Sequence, residues 1–315
     1  VTTFVAQAPG KLNLCLFLGP VREDGRHELV PLYQSVSVPD SVPVTVTPTG
    51  ANPDPDPDPD PDPDPDPDPD QVVCPGVDGL NIVTQTLNGL RAGGWGGPSV
   101  RVVIDKRIPV AGGMGGGSAD AAAVLRLAAA VGPIPSEMAV RELASALGAD
   151  VPGQLTPGLS LGTGAGDHVE PQFEPLAPRA FLIVPQAFGL STAEVYREAD
   201  RLGLPRPAGE LASRARDLRR ALDAGGELPS ELLVNDLEPA ALSLAPEIGR
   251  ALDAVRGAGA AHALVSGSGP TVFGVWWGPE APGLAAQAAG ALADRYPGAT
   301  AATPVSEEFG APRGS

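Results

Sequence analysis

Pro109-Val-Ala-Gly-Gly-Met-Gly-Gly-Gly-Ser-Ala-Asp-Ala-Ala-Ala123 is the stretch whose reading decides the fold. Five of the six residues from Gly112 to Gly117 are glycine, and an alanine-rich helical run follows at once. Glycine permits positive φ and lets a ligand approach the main chain with no Cβ in the way. A loop of this kind feeding a helix presents N–H groups and the positive end of the helix dipole, which together make a phosphate cradle. The alternative is a flexible linker. Linkers rarely run from a β-rich segment such as Val100-Arg-Val-Val-Ile104 straight into a helix. Three common nucleotide signatures are missing. No Lys completes G-x-x-x-x-G-K-[ST], G-x-G-x-x-G ends out of phase on Ser118 or Asp120, and neither H-R-D nor D-F-G occurs.

The chain has 315 residues, enough for two domains with their own cores. Hydrophobic residues make up 43% and aromatics only 4%, so those cores are built from Ala, Val and Leu. Only two of the 21 basic residues are lysines, Lys11 and Lys106, which makes a lysine inside a motif unusually informative. The net charge is −17, and the nine aspartates of a pure Pro-Asp repeat, Pro53 to Asp70, account for more than half of it. Alternating proline blocks helix and ladder, and the aspartates repel one another, so this tract reads as an extended, solvated loop. Calcium binding by the aspartate row is disfavoured, because a stiff extended backbone cannot wrap an ion. No basic stripe suits nucleic acid, and no apolar run is long enough for a bilayer or a signal peptide. Cys15 and Cys74 make no disulfide framework. The expectation is a soluble cytoplasmic protein.

Strand character is expected over Thr3–Gln7 and Leu12–Leu18, separated by Ala8-Pro-Gly-Lys11, and again over Tyr33–Val38 and Val42–Thr47. Asn81–Leu90 reads as a helix, Ser99–Ile108 as a strand, Ser118–Val131 as a helix, and Ser136 as the N-cap of another ending near Gly148. Beyond residue 155 the order changes. A strand over Phe181–Pro185 precedes helices at Thr192–Leu202, Gly209–Leu222 and Leu237–Gly257. Strands at Ala261–Ser266 and Thr271–Trp277, a helix at Pro282–Tyr296 and a strand at Thr300–Val305 follow. That is the β-α-β-β-α-β order of a split-βαβ, ferredoxin-like unit, with a domain boundary near residues 165–180 and a ligand cleft expected between the domains.

Three separated segments, Ala8-Pro-Gly-Lys-Leu-Asn13, the glycine loop and Val265-Ser-Gly-Ser-Gly-Pro-Thr271, resemble in order the three motifs of the GHMP small-molecule kinases. The resemblance implies an α/β (α+β) fold of two domains. An N-terminal ribosomal-S5-like βα domain would span residues 1–170 and bind ATP, and a C-terminal ferredoxin-like domain would span residues 171–315. Arg22-Glu-Asp-Gly-Arg-His-Glu-Leu29, Leu190-Ser-Thr-Ala-Glu-Val-Tyr196, Asn235-Asp-Leu-Glu-Pro239 and Gly148-Ala-Asp-Val-Pro152 are similar to segments of the branch acting on a cytidine-diphosphate alcohol. They extend the resemblance over nearly the whole chain outside the Pro-Asp tract.

Phosphoryl transfer needs alignment, charge neutralisation and a proton acceptor. The resemblance implies Asp150 as the base and Lys11 as the ammonium beside it, since such a neighbour favours an ionised carboxylate. The nucleotide cradle would be Pro109, Val110, Ala111, Gly112, Gly113, Met114, Gly115, Gly116, Gly117, Ser118 and Ala119. Ser118 suits a phosphate or Mg²⁺ contact and equally a helix N-cap. Mg²⁺ is expected to arrive with ATP, since no dedicated metal cage is present. The acceptor side would be Asn13, Arg26, His27, Tyr196, Gly267 and Ser268. The family commonly carries an aromatic where this chain has Arg26, and a guanidinium plane also stacks on a base. His168 and His262 are assigned no chemistry. Two alternatives remain: a kinase of this fold acting on another small alcohol, and a non-catalytic nucleotide-binding regulator.

Overall fold

The computed structural model describes residues 2–46, 70–76, 81–172 and 176–314. Thr47 and all of the Pro-Asp tract except Asp70 lie outside them. Asp70 itself is anchored: its carboxylate accepts from Arg91 at 2.8 Å and from the Val100 amide at 3.0 Å.

Two long strands, β1 (Thr2–Val21) and β2 (His27–Val46), form an antiparallel hairpin that is the spine of the first sheet. The expected break at Ala8–Lys11 is absent, and β1 runs through it as one strand. Proline cannot donate to a ladder, and here the register shifts between Pro9 and Lys11 without ending the strand. Then come β3 (Gln71–Val73), α1 (Ile82–Ala92) and β4 (Val100–Val103). The strand expected over Ser99–Ile108 ends at Val103, one further bridge joins Asp105 to Ser41, and Asp40 then takes the chain away from the sheet. Its Oδ1 accepts from the amides of both Arg107 and Ile108, turning the segment toward the glycine loop.

Helix α2 (Gly116–Val131) begins two residues earlier than expected, with Gly115 as N-cap at φ 65°. Ser118 therefore lies inside the first turn and is not the cap. Ser136 does cap α3 (Glu137–Leu147), accepting from the Ala139 amide. Besides β3, elements not anticipated here are the short helix α4 (Val151–Leu155) and the hairpin of β5 (Leu159–Thr163) and β6 (His168–Gln172). Strand β5 pairs with β2, so β2 carries β4 at one end and β5 at the other.

The second sheet starts with β7 (Arg179–Val184), followed by α5 (Thr192–Arg201) and α6 (Ala208–Ala224). The helical stretch expected over Leu237–Gly257 is built of two helices, α7 (Glu238–Leu244) and α8 (Glu247–Gly257). Pro246 lacks the N–H and biases Ala245 away from helical ψ, observed at 81°. Then β8 (His262–Val265), β9 (Val272–Trp277), α9 (Ala281–Leu292) and β10 (Thr300–Ala302) follow. The spatial order β10-β7-β9-β8, all antiparallel, is the split-βαβ arrangement that the element order predicts. The chain then returns to the first sheet, where β11 (Arg313–Gly314) pairs with β1.

Both cores follow from composition. Ala121, Ala122 and Ala123 of α2 are fully buried, and their small side chains let the helix lie close on the first sheet. A second cluster joins Leu12 and Phe17 of β1 to Phe181 and Phe273 of the second sheet. His262 heads β8, as expected.

Candidate active site

The register shift in β1 brings the first two motifs together. The Lys11 amide donates to the Met114 carbonyl at 2.9 Å, and a Cβ on Gly10 would meet Met114 Cε at 3.0 Å. The third motif closes on the same loop. Ser266 Oγ donates to the Gly113 carbonyl at 3.1 Å, and the Thr271 amide donates to the Gly112 carbonyl at 3.3 Å. A Cβ on Gly113, whose φ is +78°, would stand 2.3 Å from the Ser266 carbonyl oxygen. Glycine is required there on both counts.

These contacts enclose a cleft of about 860 Å³. At its centre Lys11, 6% exposed, reaches Asn13 Oδ1 at 2.6 Å and Asp150 Oδ2 at 3.5 Å, and its ammonium lies 5.4 Å from the Tyr33 ring centroid. Asp150 stands at the N-cap position of α4, yet its side chain makes no capping bond. Its carboxylate faces the cleft instead of closing a helix end. Burial pushes the Tyr33 and Tyr196 phenols above their ordinary range, and the Tyr33 hydroxyl donates to the Gly166 carbonyl at 3.5 Å.

Pro109, Val110, Ala111, Gly112, Gly113, Gly115, Gly116, Gly117 and Ser118 all line this cleft. Met114 and Ala119 do not: each is 1% exposed and their side chains belong to the core. The amides of Gly116, Gly117 and Ser118 precede the first intrahelical bond of α2, from the Ala119 amide to the Gly115 carbonyl. Ala111 adopts φ 55° without being glycine, a local strain at the loop's entrance.

Asn13, Arg26, His27, Tyr196, Gly267 and Ser268 line the other half. His27 is buried in the β1–β2 turn, with Nδ1 donating to the Gly19 carbonyl at 2.9 Å and Nε2 at 3.2 Å from Asp200. Its ring centre lies 5.4 Å from that of Tyr196. Arg26 is half exposed and ion-paired to Asp24 at 3.0 Å and Asp167 at 3.1 Å. Asn235 donates to the carbonyls of Val265 and Gly267 and so shapes the third motif.

Several cleft residues escaped the sequence reading, among them Tyr33, Asn81, Lys106 and Asp120. The scarcity of lysine was a signal for Lys106. Its ammonium bridges two buried carboxylates, Asp40 at 2.5 Å and Asp120 at 2.7 Å. Asp120 Oδ1 meets no hydrogen-bond partner among the described residues. Burial outweighs Lys106 and pushes the Asp120 carboxyl from 3.8 up to about 7. The folded state then holds a proton that the unfolded chain releases, so stability declines as pH rises from about 4 to about 7. Thermal unfolding of Asp120→Asn across that window is expected to lose this part of the slope. An unchanged slope would assign it to other groups.

Two family models match, "GHMP kinases N terminal domain" over residues 81–158 and "GHMP kinases C terminal" over residues 210–297. A 4-diphosphocytidyl-2-C-methyl-D-erythritol kinase of Nocardioides sp. is 40% identical over 90% of this chain and 93% of its own. One from Arthrobacter sp. is 38% identical over 89% and 86%. The chain belongs to the 4-diphosphocytidyl-2-C-methyl-D-erythritol kinase family. A crystal structure titled 4-(cytidine 5'-diphospho)-2C-methyl-D-erythritol kinase superposes at a TM-score of 0.71, with 30% identity over 95% of this chain and 98% of that one. A homoserine kinase from Cytophaga hutchinsonii, at 17% identity and a TM-score of 0.59, shares the fold. This kinase family is thus the setting for the cleft. Among the described residues no helix is long and apolar enough to cross a membrane.

Proposed function

We propose that this chain transfers the γ-phosphoryl group of ATP to the 2-hydroxyl of 4-diphosphocytidyl-2-C-methyl-D-erythritol, a step of non-mevalonate isoprenoid synthesis in the cytoplasm. The observation that carries the reading is the Lys11–Asp150 pair, 3.5 Å apart, between the glycine loop on one side and His27, Arg26 and Tyr196 on the other. The names of its relatives agree with it. Residues 1–170 and 171–315 are taken as the two domains whose junction forms the cleft.

In this reading the triphosphate lies on the glycine loop, its charge met by the first-turn amides and the positive end of α2. Asp150 accepts the proton of the attacking hydroxyl as the new oxygen–phosphorus bond forms and ADP leaves. Lys11, held by Asn13, neutralises charge on the transferred group. The cytosine would lie between Tyr196 and Arg26, close to His27. Among the described residues no three His, Cys, Asp or Glu side chains gather as a metal cage. Mg²⁺ arriving with ATP would neutralise phosphate charge, with Ser118 at hand in the first turn.

The test is ATP turnover with the cytidine-diphospho alcohol beside methylerythritol 4-phosphate, mevalonate and homoserine. Turnover with the cytidine compound alone is expected. Turnover with another alcohol would overturn the acceptor and make Arg26 the first residue to examine. ATP binding without any turnover would favour a regulator.

A further inference from the structure

Arg126 sits in the middle of α2, far along the helix from the cleft, and its side chain is partly buried. No carboxylate lies within ion-pair distance of it among the described residues. Its donors go to three main-chain carbonyls instead. Nε donates to Gly310 at 3.0 Å, Nη1 to Gln154 at 2.5 Å and Nη2 to Gln7 at 2.9 Å. Burying a cation is costly, and burial pushes this one down to about 10, opposed by the charge of Glu307 on the same segment as Gly310.

The three acceptors belong to different pieces of the site. Gln7 lies four residues before Lys11 on β1, and Gln154 lies on α4 four residues after Asp150. Arg126 itself is on the helix whose first turn follows the glycine loop. Gly310 belongs to the segment returning from the second sheet to the first. The fit at Gly310 is close: a Cβ there would stand 2.9 Å from Pro157 Cγ and 3.1 Å from Arg126 Nη2. Gln154 adds a second sign that α4 is held from this side. Its amide is buried, and neither polar atom has a hydrogen-bond partner among the described residues, so the side chain offers α4 no anchor of its own.

We infer that Arg126, braced by the C-terminal segment at Gly310, is a positioning residue that sets Asp150 and the glycine loop relative to Lys11. The inference rests on the assignment of Lys11 and Asp150 to the reacting centre. A planar guanidinium suits this task, because its donors leave in fixed directions toward three strands of main chain. Loss of the brace would let α4 shift, and a small displacement of a base is enough to slow transfer strongly.

The test uses full-length Arg126→Met, Arg126→Lys and Gly310→Val, with steady-state kinetics and amide hydrogen exchange. For Arg126→Met, kcat is expected to fall about tenfold or more, with KM for ATP and for the alcohol within about twofold. Arg126→Lys should fall between it and the parent. Exchange at Val151–Leu155 should quicken while the α9 amides keep their protection. Should Arg126→Met fail to fold, Gly310→Val decides by the same two readouts. Unchanged exchange at α4 in a folded variant overturns the brace whether or not any alcohol is turned over. A rise in both KM values at constant kcat overturns it too. A parent protein inactive on every alcohol would refute the kinase reading, and the exchange comparison would still decide the brace.

Discussion

Asp150→Asn is expected to lower kcat by about 10²- to 10⁴-fold while leaving ATP binding close to that of the parent. The amide keeps the size of the carboxylate and cannot take the proton of the attacking hydroxyl. The side chain makes no capping bond at α4, so its replacement removes no helix-end contact. The loss is therefore expected in transfer and not in folding. Steady-state kinetics with the cytidine-diphospho alcohol, beside calorimetric ADP binding, separates the two. A variant that retains a third of parental kcat would remove Asp150 as the base. One that loses ADP binding in parallel would make the residue part of the cradle.

The largest effect on stability is expected at Lys106. Its ammonium is the shared partner of Asp40, which is fully buried, and Asp120, which is 3% exposed. Lys106→Met strands two carboxylates in the interior, and removing one partner of such a pair costs about 3–5 kcal/mol. The melting temperature should fall by on the order of 10 °C. Adding Asp120→Asn removes one of the stranded charges and should recover about half of the loss. A drop of only a degree or two in the single variant would show that solvent screens the cluster. Asp40 also turns the chain into the glycine loop through the Arg107 and Ile108 amides, so the same variant should loosen ATP binding.

Much of the site was legible in local pattern. Lys11 and the glycine loop stood out because lysine is scarce and five glycines crowd one turn. The β-α-β-β-α-β order of the second half came from periodicity and turn residues, and it is the order observed. Where the reading failed, a long-range contact had overridden local propensity. The segment expected as strand up to Ile108 leaves the sheet after Asp105, where Asp40, more than sixty residues away, captures the Arg107 and Ile108 amides. The N-cap role open to Ser118 goes to Gly115, whose backbone is αL and where an added Cβ would stand 3.1 Å from Lys11 Cε.

The sequence by itself determined which residue types are available for chemistry and which elements carry them, because glycine content, periodicity and capping act over a few residues. Only the tertiary structure decided who meets whom. The 3.5 Å approach of Lys11 to Asp150, the seat of Ser266 on Gly113, the Asp40–Lys106–Asp120 bridge and the reach of Arg126 to three carbonyls each join segments far apart in the chain. Nothing in local propensity encodes such pairings. They are set by burial, where a donor or charge withdrawn from water must find its partner wherever the folded chain places one.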